Sequence, residues 1–173
     1  ITENALGPEH SNTSTRLNNL ALLLYRRGDP DAAEPLFRRA LAITENALGP
    51  NHPQTGTSLN TLAGLLQYRG DFDAAEPLYR RALTITENAL GPDHPDTGTR
   101  LNNLPIRLSH RGVMDAAESL YRSSLAITEN ALGPDHPNTI TPLNILALLL
   151  YRRVAPDAAE PFFRSALAIT DKA

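Results

Sequence analysis

The octapeptide Ile43-Thr44-Glu45-Asn46-Ala47-Leu48-Gly49-Pro50 decides how this chain is read. The same eight residues stand at Ile1–Pro8, Ile85–Pro92 and Ile127–Pro134, and a truncated fifth copy begins at Ile169-Thr170. Every interval is 42 residues, without insertion or deletion. Self-similarity at a fixed period in this range marks a repeat architecture, a quasi-one-dimensional stack in which each unit covers its neighbour's apolar face.

Residues Asn12 to Pro50 show what one unit contains. Leu17, Leu20, Ala21 and Leu24 fall at i, i+3, i+4 and i+7, one face of an α-helix, here helix A. Gly28-Asp29-Pro30 ends that helix and starts another, with Gly suited to C′, Asp to the N-cap and Pro to the first turn. Helix B then turns Ala33, Phe37, Ala40, Leu41 and Leu48 inward and leaves Arg38, Arg39 and Glu45 to reach water. Gly49-Pro50 is the second stop, in which Gly is expected in the left-handed C′ conformation. His52-Pro53 opens the next helix, with Pro at N1 and the histidine or a neighbouring polar residue as its cap.

Small residues recur where helices cross closely, at Ala21/Ala63/Ala147 and Ala33/Ala75/Ala117/Ala159, and Phe37/Tyr79/Tyr121/Phe163 is read as core. The repeat divisions are residues 1–11 (end of a preceding helix B plus loop), 12–52, 53–94, 95–136 and 137–173. The absence of an initiator Met and the start within helix B give the expectation of a segment from a longer protein. Such a segment would stack head to tail in a crystal and remain a monomer in dilute solution.

Composition narrows the chemistry. There is no cysteine, which removes disulfides and thiolate metal sites. No apolar run approaches the roughly 20 residues that span a bilayer, so no membrane partner and a cytoplasmic location are expected. Sixteen basic and nineteen acidic residues, mixed along every repeat, argue against nucleic acid as a partner.

The order Leu17, Leu20, Ala21, Leu24, Gly28, Ala33, Phe37, Ala40 resembles the tetratricopeptide repeat, whose common unit is 34 residues. Leu-Asn-Asn-Leu-Ala-Leu-Leu, Ala-Glu-Pro-Leu-Phe-Arg-Arg-Ala-Leu and Leu-Gly-Pro-x-His-Pro resemble its 42-residue, kinesin light chain-like subclass, which includes many bacterial arrays. The resemblance implies an all-α, right-handed superhelical α-solenoid of antiparallel helix pairs, with helix A lining a concave groove.

Some copies depart from the pattern. Pro105 replaces the helix A alanine in the third repeat, which predicts a helix kinked or interrupted near Leu101–Pro105. In the fourth, Pro142 stands near the start of helix A, and Val154-Ala155-Pro156 replaces Gly-Asp-Pro, removing both caps. Pro35, Pro77 and Pro161 are expected to bend the first turn of helix B and make it partly 3₁₀.

No constellation for catalysis is found, no cofactor is implied and no metal site is expected. His10, His52, His94 and His136 recur one repeat apart, too widely spaced to converge on one ion, and are read as closing the inter-repeat loop. Asp31, Asp73, Asp115 and Asp157 lie in the first turn of helix B, where the helix dipole favours a carboxylate. The distinctive polar signal is an asparagine inside each apolar helix A: Asn18, Asn60, Asn102 and Asn144. The family resemblance places these amides along the groove, where an amide can serve the backbone of an extended peptide whatever its sequence. Tyr25, Arg26, Tyr68, His110, Tyr151 and Arg152 share that face as candidate anchors, and Gly64 would leave a shallow pocket beside them. The expected function is a scaffold binding a protein or peptide in the A-helix groove. The alternative is a spacer or regulatory sensor array attached to a catalytic or nucleotide-binding domain elsewhere.

Overall fold

In the computed structural model the described residues are 11–104, 111–153 and 155–171. They are helical throughout: α1 (Ser11–Arg26), α2 (Pro30–Leu48), α3 (Pro53–Tyr68), α4 (Phe72–Leu90), α5 (Pro95–Asn102), α6 (Arg111–Leu132), α7 (Ile140–Arg152) and α8 (Pro156–Thr170). A 3₁₀ turn, Pro137–Thr139, leads into α7. The chain divides into two units, Ile1–Ala89 and Leu90–Ala173.

Local chemistry sets the ends of these helices. Asp29 caps α2 by accepting the Ala32 amide at 3.0 Å, and Asp71 accepts the Ala74 amide at 3.2 Å in the same place one repeat on. The recurring histidines cap helix A: Nδ1 of His52, His94 and His136 accepts the amide two residues later at 3.2, 3.1 and 3.1 Å. His10 lies outside the described residues. Gly49 does leave α2 with positive φ, but at φ 98° and ψ 159° it is extended and not in the expected left-handed helical well. That region is open essentially to glycine alone. Its carbonyl is thereby aimed at α3, where the Thr55 hydroxyl donates to it at 2.8 Å.

In the first unit, the start of each helix A meets the end of its own helix B, so the pairs are antiparallel. The Ser14 and Thr44 hydroxyls bond at 2.8 Å, and a Cβ on Gly56 would stand 3.2 Å from Ile85 Cγ2. Ala33, Phe37, Ala40, Ile43 and Thr44 are buried on α2, and Leu59, Leu62, Ala63, Leu65 and Leu66 on α3. Each large side chain so buried contributes about 1.5–3 kcal/mol. Three inward expectations are corrected. Phe163 of α8, read as core with Phe37, Tyr79 and Tyr121, is 39% exposed. Leu48 is 37% exposed, because it is the last residue of α2 and the chain turns away at Gly49; Ile43 and Thr44 fill the space instead. Leu20 is 47% exposed, although its equivalents Leu62 and Leu146 are buried, Leu146 against Ala117, Tyr121 and Leu125 of the preceding helix B. Residues 1–10, which precede α1, lie outside the described residues.

The second unit has the same plan. The Ser124 hydroxyl donates to the Gly98 carbonyl at 2.8 Å, joining the start of α5 to α6. Its core gathers Ala117, Tyr121 and Leu125 of α6 with Leu143, Leu146 and Leu149 of α7 and Ala166 and Ile169 of α8. Helix α5 stops at Asn102, within the stretch where interruption is expected; Pro105 itself lies outside the described residues. A residue before proline is pushed out of the α region, and the chain turns at Asn103 and Leu104 through i→i−3 bonds of 3.2 and 3.3 Å. Helix α6 begins at Arg111, where the Asp cap and N1 proline are replaced by Val113 and Met114. Ala155 at the N-cap of α8 makes no side-chain bond, as the loss of the Asp predicts.

The expected 3₁₀ start of helix B is not found. Pro35, Pro77 and Pro161 stand inside continuous α-helix, all exposed, so the i−4 carbonyl each leaves without a donor lies on a solvated turn. The 3₁₀ geometry falls at Pro137–Thr139, just before buried Pro142 in α7.

Arginines tie one repeat to the next within each unit. Arg69, at the end of α3, binds Asp31 at 2.9 Å and also Glu34 in the first turns of α2. Arg153 repeats this after α7, holding Asp115 at 3.0 Å and Glu118 at 2.7 Å. The aspartates therefore receive a guanidinium as well as sitting at the favourable end of the helix dipole.

Candidate functional site

Helix A carries the candidate residues on its solvent side. In the first unit, Thr15, Leu22 and Arg26 of α1 and Thr57, Gln67 and Tyr68 of α3 are exposed, while Asn18, Tyr25, Asn60 and Gly64 are half-buried. The structure brings Tyr25 and Tyr68 together, ring centroids 5.0 Å apart and planes at 90°, an edge-to-face pair between α1 and α3. Tyr68 remains 63% exposed, so the pair presents aromatic surface to solvent.

Beneath that pair lies Tyr79 of α4, which the sequence assigns to the core. It is 5% exposed, and its hydroxyl oxygen stands 3.5 Å from where a Cβ on Gly64 would be. Burial, and after it the neighbouring Tyr25 phenol, push its ionisation up to about 12. The signal in the sequence is Gly64, the one glycine in a column that otherwise reads Leu22, Ile106 and Leu148.

In the second unit, Thr99, Asn102 and Asn103 of α5 and its end face Pro137, Asn138 and Thr141 at the entry to α7 across a cleft of about 230 Å³. Among the described residues, hydroxyls, amides and Pro137 line it, without a charged side chain. On α7, Asn144 is half-buried and Leu148, Tyr151 and Arg152 are exposed, Tyr151 by 62%. His110 lies outside the described residues. Arg26 and Arg152 make no ion pair among the described residues.

The asparagines are half-buried in both units, neither sealed in the core nor fully solvated. Among the described residues, Oδ1 of Asn18 and Oδ1 of Asn102 are shielded from solvent and have no hydrogen-bond partner. An unmet buried acceptor costs about 1–3 kcal/mol. Among the described residues no group of His, Asp or Glu is placed to hold a metal ion. No described helix is long and apolar enough to cross a membrane.

The tetratricopeptide-repeat model matches residues 1–46, 17–88, 57–104 and 108–172, together nearly the whole chain. The chain belongs to the tetratricopeptide-repeat family. Its fold is the all-α repeat solenoid of that family, as its structural relatives also show. A crystal structure of BtubC (BKLC) from P. vanneervenii superposes with a TM-score of 0.80 at 23% identity, over 92% of this chain and 63% of that one. The chain thus spans less than two thirds of that relative's length. A Podosopora anserina protein described as a kinesin light chain with nearly identical TPR-like repeats gives TM-scores of 0.80 for a singly substituted form and 0.77 in a second crystal structure. Both share 23% identity and cover 99% of this chain, and 81% and 82% of theirs. No curated protein matches in sequence. As a tetratricopeptide-repeat protein, the chain is a protein-interaction scaffold in the general sense of its family.

Proposed function

We propose that this tetratricopeptide-repeat protein binds an extended peptide along the solvent face of its A helices and holds that partner without transforming it. The observation that carries this reading is the pair of asparagines whose acceptor oxygens are buried and, among the described residues, unmet: Asn18 and Asn102. A packed helix gains nothing from such a group, and Asn is a mediocre helix former. A peptide N–H arriving on this face supplies the missing donor once the amide turns outward. Asn60 and Asn144 occupy the same register in the neighbouring repeats, so the amide recurs on every A helix. Tyr25, Tyr68 and Tyr151 supply aromatic anchors, and Arg26 and Arg152, free of ion pairs among the described residues, favour acidic groups on the partner.

The test separates binding from stability. Peptides selected from a random displayed library on the intact chain are measured against Asn18→Ala/Asn102→Ala. Binding is expected to weaken about tenfold or more, the worth of one or two net hydrogen bonds, while urea stability stays level or rises. Unchanged binding would favour the spacer or regulatory-array reading, in which the A face receives nothing. Lower stability together with lower binding would make the asparagines structural.

A further inference from the structure

Repeat 2 differs from repeats 1 and 4 in a paired way. Four residues after its asparagine, helix A carries Leu22 in repeat 1 and Leu148 in repeat 4, with Phe37 and Phe163 at the facing register of helix B. Repeat 2 has Gly64 there, and its helix B aromatic is Tyr79. Repeat 2 thus combines a hydroxyl with a missing side chain, whereas repeat 3 has its tyrosine, Tyr121, with Ile106 in the column. Tyr79 Oη is 3.5 Å from the position of the absent Cβ, and among the described residues no other atom outside the neighbouring backbone of α3 comes within 4 Å of it. Among the described residues this hydroxyl makes no hydrogen bond, whereas the equivalent hydroxyl of Tyr121 donates to the Leu104 carbonyl at 3.3 Å.

The surroundings define the visitor. In repeats 1 and 4 the same register holds a leucine, Leu22 and Leu148, which gives the scale of side chain the position takes. Tyr68, four residues after Gly64 on the same helix face, makes one wall together with its partner Tyr25. Arg69 is held by Asp31 and Glu34, so a carboxylate entering here would lose water without gaining a charge partner from the end of α3. The phenol remains a protonated donor at neutral pH, since burial holds its ionisation near 12.

We propose that the notch at Gly64 is a side-chain subsite of the peptide-binding face, taking the carboxamide of an Asn or Gln whose oxygen accepts from the Tyr79 hydroxyl while its flat amide lies against Tyr68. This rests on the peptide reading above and adds to it a specificity-determining residue. A leucine of similar size fits the space but leaves the phenol unmet, and sites that hydrogen-bond a ligand group discriminate strongly against analogues lacking it.

The experiment uses the intact chain and peptides selected on it from a displayed random library. Gly64→Leu/Tyr79→Phe rebuilds the residue pair native to repeat 1, where Phe37 is buried. Tyr79→Phe alone removes the hydroxyl and leaves the notch. Selected peptides are expected to share an Asn or Gln at one position, to bind the double variant about tenfold more weakly or worse, and to bind Tyr79→Phe severalfold more weakly. Replacing that Asn or Gln by Leu in the peptide should erase the difference between wild type and Tyr79→Phe. Equal binding to wild type and the double variant, or an acidic or aromatic residue at the shared position, overturns the subsite while leaving peptide binding intact. A library that enriches nothing overturns the peptide reading, and the subsite with it.

Discussion

Tyr79 and Tyr121 occupy the same register of helix B, 42 residues apart, and each shows how one atom responds to the residue above it. Tyr121 Oη donates to Leu104, a carbonyl that a continuing helix would have engaged and that the end of α5 leaves without a helical donor. Tyr79 Oη faces the gap at Gly64. Burial pushes both phenols up to about 12. A group whose ionisation is raised on folding adds stability that is complete below its unfolded value, near 10, and is lost as pH rises toward 12. Stability should therefore fall between pH 10 and 12, and Tyr79→Phe/Tyr121→Phe should flatten that fall. Urea unfolding across this range, with phenolate absorbance followed in parallel, checks it; an equally steep fall in the double variant contradicts it.

At the scale of the helix, the repeats are joined by arginines whose register the period dictates. Arg81 of α4 reaches Glu45 of α2 at 2.6 Å and the Pro50 carbonyl at 2.9 Å. The equivalent of Arg81 two repeats on is Ser165, and the equivalent of Glu45 is Glu129. Ser165→Arg should restore that tie within the second unit and raise stability by about 0.2–1 kcal/mol at low salt, the range of exposed pairs, with the gain shrinking as salt is added. A salt-independent change in urea midpoint would show that the arginine acts through its alkyl chain alone. Much at this scale could be read from the sequence, because caps and breakers act locally: Asp29, the His-Pro starts and the missing cap at Ala155 behave as their residue types require, and Gly49 ends its helix, though in the extended positive-φ region. The failures share a cause. Leu20 and Leu48 carry apolar side chains in helical phase, yet their burial depends on which neighbour covers them, and phase alone carries no such information. The prolines of helix B each remove one helical hydrogen bond, and because they are exposed water can take the freed carbonyl.

For the whole molecule, the period made the family legible and the asparagine column made the candidate face legible; both come from repetition. What repetition concealed was the value of a single exception. Tyr79 looked like one more core aromatic, and only its distance to the Gly64 position separates it from Phe37. The cleft beside Asn102 likewise draws on residues from two repeats that no single motif joins. The central claim is that the partner lies on the A helices and leaves the outer side of the B helices bare. Hydrogen–deuterium exchange of the intact chain, with and without a selected peptide at saturating concentration, tests it directly. The account predicts added protection in α1, α3, α5 and α7 and none confined to α2, α4, α6 or α8. Protection gathered on the B helices, with α3 and α5 unchanged, would contradict it.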